Sequence, residues 1–402
     1  MNYSNLKVLT FAFYTFGILS SSCNKDNSGQ IVKMQDNATT ININPMKKDW
    51  DKTDEIIKEI KVIPLETSPE ALIGRVEDIQ FKNSKIFVHD GTSQEIKIFN
   101  KKGMFLSKIS NQNRGPEGYL DISGFSLCDN DSLIEIYDNR NHSFKTYTIE
   151  NKFVKRQKID YMVTDFRNIC NHRKIVYSGF MPSYNLKSFP SLSRVLFCNQ
   201  NSKIYKTALP FEYKENSEIH MFSRPKNNLS YYKDTVVLAG EKLTNAVYHI
   251  HGDSISKKYF LNFGKKYNIP LNYWSSEHEL KDLRKSNKFN NYVKIRSVLE
   301  SKNHLYVKYS LNNKICFYIF NKSNLKGYNI PLFFRRQSDV LNLPMPSFKW
   351  DEHFVGIKDA YTVKKEITEY KNKELELPIP LKDIDNKITN QSNPLLFLIQ
   401  WK

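Results

Sequence analysis

From about residue 60 onward the chain is a succession of short apolar runs separated by turn residues. Long stretches with helical periodicity are scarce. The first two groups of runs align on each other. Ile86, Asp90 and Phe99 each recur 48 positions later, as Ile134, Asp138 and Tyr147. A constant offset near 40–50 residues with several strands per unit predicts the blades of a β-propeller.

The looser runs that follow extend the series. Lys174–Tyr177 with Val195–Phe197 predicts a third blade carrying an insertion, and Thr235–Ala239 with Val247–Ile250 a fourth. Leu305–Tyr309 with Phe317–Phe320 predicts a fifth, and Phe354–Ile357 with Leu395–Trp401 a sixth. Runs such as LLFLI do not alternate with polar residues. Both of their faces must therefore be buried, as in packed blades and unlike a sandwich with one wet face.

A propeller must also be closed, because open edges invite further strand pairing. Ile60–Leu65 is the predicted partner of Leu395–Trp401. Two segments permit helix: Asn272–Lys288, with Ser275 and Ser276 as caps, and the charged stretch Tyr361–Leu377.

Composition agrees with sheet. The chain of 402 residues has 23 Tyr and 26 Phe, residue types that favour strands. Residues 1–23 form a separate unit: Lys7, an apolar run from Val8 to Leu19, three serines and Cys23. This is the layout of an export signal, with an apolar run too short to span a bilayer. The expected organisation is a signal over 1–22, a lipidated Cys23 with a flexible tether over 23–54, and a propeller over 55–402.

Lipidation at Cys23 would attach the chain to a membrane, with the domain periplasmic or on the cell surface. The remaining cysteines, Cys128, Cys170, Cys198 and Cys316, form no CxxC pair and read as buried strand residues. The net charge is +18, but the lysines are scattered and form no basic block. A solvated basic surface, or affinity for anionic glycan or lipopolysaccharide, fits better than nucleic acid.

Three sequence signatures carry a resemblance. They are Ile63-Pro-Leu-Glu-Thr-Ser68 with Leu72-Ile-Gly-Arg-Val76, the loop Asn113-Arg-Gly-Pro-Glu-Gly-Tyr119, and the ending Asn393-Pro-Leu-Leu-Phe-Leu-Ile-Gln-Trp-Lys402. Together they resemble the six-bladed β-propeller lipoproteins of Bacteroidetes, which are TolB-like and more distantly NHL-like. Cys23 with its preceding serines is similar to the acylation site of such lipoproteins. In the loop, Glu117 and Gly118 are exchanged relative to the usual order, so no contact of that Glu is carried over. The resemblance implies an all-β, six-bladed propeller over most of the chain and implies no activity.

Chemistry-bearing motifs are sparse. There is no HExxH, GxSxG, P-loop or dinucleotide fingerprint. His249 and His251 would share a face of a strand, half of a metal site without a third ligand. Arginines recur roughly ten residues ahead of the second strand in four of the six predicted blades: Arg75, Arg167, Arg224 and Arg296. If they ring the channel they would favour carboxylate or phosphate ligands, since the guanidinium fork binds these bidentately; as inter-blade salt bridges they would only be structural.

Trp50, Trp274, Trp350 and the Tyr231–Tyr232 pair are candidate surfaces for stacking on sugar rings, or else blade packing, with Trp274 the best placed on a predicted surface insertion. The expected function is a cofactor-free envelope protein that binds a glycan, peptide or protein at its channel mouth. The alternatives are a metal-dependent hydrolase or lactonase using Glu77, Asp165 and Asn168, and a scaffold in an outer-membrane complex.

Overall fold

A computed structural model describes residues 30–47, 49, 53–128, 132–169, 173–179, 192–211, 228–241, 244–270, 288–330, 334–335 and 342–402. Six antiparallel sheets form a six-bladed β-propeller. The 48-residue repeat is a repeat of register: Ile86 pairs with Phe99 in blade 1, and Ile134 with Tyr147 in blade 2. The second and third strands of each blade are buried on both faces, as Lys85–Asp90 and Glu95–Asn100 illustrate. This accounts for the unalternated apolar runs.

The inner strands are Val76–Lys82, Gly124–Leu127, Asp165–Ile169, Leu229–Tyr232, Lys294–Glu300 and Phe348–Trp350. Each touches the next, and the sixth touches the first, so the ring is closed. Closure uses the predicted pair. Leu395–Trp401 is antiparallel to Ile57–Pro64, which forms the outermost strand of blade 6. Helix α1 (Ala360–Asn372) falls on the predicted charged stretch and is capped by Asp359, whose carboxylate accepts from the Thr362 N–H. With α2 (Ile379–Asp385) it covers blade 6 through Val363, Ile367, Tyr370, Leu381 and Ile384. The other predicted helix, Asn272–Lys288, lies outside the described residues except for its last residue, which begins the 3-10 turn Lys288–Asn291.

The assignment of residues 23–54 as a flexible tether needs correction over much of its length. Gln30–Ile31 pairs parallel to the outer strand of blade 3, and Gln35–Asn42 pairs parallel to the outer strand of blade 4. Ile41 and Ile43 are buried in the core between blades 4 and 5. Further on, Asp49 accepts from the Asn329 N–H at 3.1 Å and the Asn44 carbonyl from the Asn329 amide at 2.9 Å, reaching blade 5. The segment is a strap across three outer edges. Its polarity misleads, because backbone pairing rather than side-chain burial holds most of it.

Candidate functional site

The channel contains a cavity of about 850 Å³ lined by residues from all six inner strands. It extends to the turns that follow the inner strands, at Asn83–Ser84, Lys233–Asp234 and Asp351. From there it continues between blades 6 and 1 toward Lys61, Ile63 and Leu398. The size suits a small organic ligand.

Residue alternation along Val76–Lys82 sets two unlike walls. Asp78, Gln80 and Lys82 face blade 2, where Gln80 donates to the Phe125 carbonyl at 2.6 Å and Lys82 to that of Cys128 at 2.5 Å. Phe81 faces blade 6, where it stacks on Trp350 with ring centroids 4.9 Å apart. The next strands are joined by polar bonds at their inner edges. Ser126 Oγ accepts from the Asn168 N–H at 2.8 Å, Tyr231 donates to the Asn168 carbonyl at 2.7 Å, and Ser230 donates to the Val298 carbonyl at 3.2 Å.

At the far end from the turns lies a charge cluster. Arg167 is 6% exposed and donates to Asp165 Oδ1 at 2.7 Å; the other oxygen, Oδ2, accepts from the Leu229 N–H at 2.9 Å. Asp78 accepts from Gln80 at 3.2 Å. Burial raises the Asp78 pKa, with nearby Arg167 opposing. Gln80 is 7% exposed and its Oε1 has no hydrogen-bond partner among the described residues. The amide orientation is fixed by chemistry: both neighbours of its nitrogen are acceptors.

Of the three predicted arginines within the described residues, Arg167 alone lines the cavity. Arg75 is exposed just ahead of its inner strand and pairs with Glu77 at 2.7 Å. Arg296 is exposed at a register shift in its strand and donates to Ser310 at 3.1 Å. Arg224 lies outside the described residues, as do Trp274 and Cys170. The basic groups of the cavity are instead mostly lysines: Lys61, Lys82, Lys101, Lys233 and Lys349 join Arg167, against Asp78, Asp234 and Asp351. Burial holds Lys349 below its ordinary pKa, with three nearby carboxylates opposing. A count of residues ahead of each second strand cannot separate an inner-strand side chain that faces the channel from one in the loop before it.

The metal-ligand candidates are each committed elsewhere. Glu77 pairs with Arg75, Asp165 with Arg167, and the Asn168 amide contacts Ser126 and Cys128. His249 and His251 do not converge. His249 bonds Glu300 at 2.7 Å, and His251 is exposed beside Asp234. Among the described residues no three His, Cys, Asp or Glu groups are placed to hold a metal, and no helix is long and apolar enough to cross a membrane. Cys198 is buried, Cys128 and Cys316 are partly so, and all three are free thiols.

The fold is shared with solved structures. One is a protein named as exported from Bacteroides fragilis NCTC 9343, with a TM-score of 0.72 and 18% identity, covering 90% of this chain and 99% of that one. Another is a member of the DUF4221 family from Bacteroides vulgatus ATCC 8482, with a TM-score of 0.51 and 11% identity, covering 86% and 97%. No curated protein matches the chain. A family model described as a domain of unknown function, DUF4934, matches residues 38–400, and the chain belongs to that family.

Proposed function

We propose that this chain is an exported envelope protein, anchored through a lipidated Cys23, whose propeller binds a ligand in the channel cavity without transforming it. The carrying observation is the open cavity of about 850 Å³ that all six blades line and that apolar side chains do not plug. Its polar groups are held in fixed positions by the bonds that join the inner strands of blades 1 to 5, an arrangement suited to recognition. The export reading rests on residues 1–23 and is supported by a fold neighbour named as exported.

The binding reading is tested by screening a chemically diverse ligand panel for thermal stabilisation of the wild type and of Ser297→Trp, which fills the cavity from blade 5. A ligand that stabilises the former and not the latter is the expected result. Stabilisation that survives the blocking substitution in every case would overturn the cavity as the site. Anchoring is tested by fractionating cells that carry Cys23→Ser, which should move the protein from the membrane to the soluble fraction.

A further inference from the structure

The two ends of the cavity ask for different chemistry in one ligand. At the deep end, the Gln80 nitrogen donates to Phe125 O and Asp78, which leaves Oε1 as a buried acceptor without a partner among the described residues. Burying such an atom unpaired is costly, and a ligand donor placed there would recover that cost. Asp78 adds a second acceptor beside it. The donor called for is a neutral hydroxyl rather than an ammonium, because the buried Arg167 guanidinium already supplies a cation to this cluster.

Close to the turns the cavity offers a flat apolar wall. Trp350 lines it and Phe81 backs the indole, at an interplanar angle of 12°. A supported ring plane of this kind takes the C–H face of a sugar. At the turn end, Lys82, Lys101, Lys233 and Lys349 outnumber Asp234 and Asp351, and Lys101 and Lys233 are exposed and make no ion pair among the described residues. Positive charge at the mouth of a concave site concentrates anions there.

Resting on the binding function proposed above, we propose that the cavity is a site for an acidic saccharide. Its hydroxyls would meet Gln80 and Asp78, a ring face would lie on Trp350, and its carboxylate or sulfate would meet Lys101 and Lys233. Hydroxyls, an apolar ring face and a terminal anion occur together in sugar acids, and no one of them alone accounts for all three surfaces.

The test is calorimetric titration of the full mature chain with four probes: a galacturonic acid tetrasaccharide, a chondroitin sulfate tetrasaccharide, a glucose tetrasaccharide and tripolyphosphate. Binding of at least one acidic tetrasaccharide is expected, about tenfold or more tighter than either the uncharged sugar or the hydroxyl-free anion, and weakening with salt. Comparison of the two acidic probes separates carboxylate from sulfate. The double variant Lys101→Gln/Lys233→Asn should lose about tenfold for the acidic sugar and none for the neutral one. Asn suits the positive φ of 55° at residue 233, and both positions are exposed, so folding is unaffected. Trp350→Ala should weaken both sugars, with Trp350→Phe restoring part of the loss.

Tight binding of tripolyphosphate alone, blocked by Ser297→Trp, would overturn the saccharide class and leave the cavity as a binding site. Equal affinity for acidic and neutral sugars would overturn the role of the lysines, and with it the proposal. Failure of all four probes, together with no cavity-dependent hit from the diverse panel, would overturn this inference and the binding function alike.

Discussion

The Lys97 ammonium lies 2.9 Å from Asp90 Oδ2, with both side chains at most 2% exposed. The pair recurs 48 residues on as Lys145 and Asp138, 3.1 Å apart and fully buried. In both blades the Asp ends the second strand and the Lys stands in the middle of the third. Asp90 also accepts from the N–H groups of Gly74, Arg75 and Thr92, and Asp138 from those of Leu120 and Asn141. Lys145 in addition donates to the Gly118 carbonyl. Each pair thus fixes the loop that enters its blade to the blade's own centre.

Removing Lys97 strips the buried Asp90 carboxylate of its ammonium partner, whereas removing Asp90 leaves Lys97 still paired with Glu95 at 2.9 Å. Lys97→Met should therefore cost about 3–5 kcal/mol of unfolding free energy. The double variant Asp90→Asn/Lys97→Met should cost less than the two single changes added together, because neither charge is then left alone. Denaturant unfolding of the three variants measures this. Strict additivity would mean that the pair is not coupled.

The blade count and its register were legible because a buried repeat must keep both its landmarks and its spacing. Lys97 and Lys145 obey the same offset and could have been found with it. A lysine inside an apolar run reads as solvent-facing, however, so the offset shows itself in the Ile, Asp and aromatic positions. The exchanged loop Asn113–Tyr119 keeps its turn, with Asn113 Oδ1 accepting from the Gly115 N–H at 2.8 Å and Asn111 O from the Tyr119 N–H at 3.0 Å. The cavity was less legible. Its walls come from six short strands, and whether Asp78 or Phe81 faces a given blade depends on a bulge between Val76 and Asp78 that no periodicity announces. The mouth lysines sit in turns, where single charges carry no pattern.

Acid should unfold the protein over a defined range. Burial alone would raise the Asp90 pKa, but its bonds from Lys97, Arg75, Gly74 and Thr92 outweigh that and hold it well below 3.8. Glu95 is likewise brought down from 4.5 to about 2, where bonds from Lys108, Ser110 and Lys97 outweigh burial. Asp253 and Glu300 shift in the same direction. A carboxylate whose folded pKa lies below its unfolded value contributes stability that is fully present above the unfolded pKa and lost as pH falls through the folded one. The urea midpoint should thus begin to fall below about pH 6.5, where burial holds the His304 and His353 rings below their ordinary pKa, and decline more steeply from about 4.5 toward pH 2. Asp78, with its raised pKa, opposes the decline, so Asp78→Asn should steepen it. A midpoint at pH 3 equal to that at pH 7 would contradict the assignment.

The amino-terminal strap should be a stabilising element rather than a spacer. It covers the outer strand of blade 4, Ser254–Asn262, and adds the 2.7 Å ion pair of Lys257 with Asp36. A chain beginning at residue 53 would leave that edge open to other strands. It should melt at lower temperature than a chain beginning at residue 30 and should associate on concentration. Amide exchange over residues 254–262 should also accelerate. Equal melting temperatures and unchanged exchange would show that the strap contributes nothing. Ile41→Asp, which places a charge in the core between blades 4 and 5, should reproduce the loss within the full chain.

Closure of the ring should depend on one amide. Asn393 is 1% exposed and stands just ahead of the closing strand. Its Oδ1 accepts from the Ile73 N–H at 2.8 Å, while its nitrogen donates to the carbonyls of Glu66 at 2.6 Å and Ala71 at 2.8 Å. Its own N–H donates to Thr67 Oγ1 at 2.8 Å. The side chain therefore satisfies three backbone groups some 320 residues earlier in the chain. Asn393→Ala leaves those groups unpaired and should cost about 3 kcal/mol or more. Asn393→Asp keeps the acceptor for Ile73 but turns a carboxylate oxygen toward two carbonyls. That change should be at least as damaging at pH 7 and should recover in part near pH 4, where the protonated acid can again donate. Chemical denaturation of both variants at the two pH values separates the outcomes. No loss for Asp at pH 7 would mean that the donor half of the amide is dispensable, and no loss for Ala that closure rests on strand pairing alone.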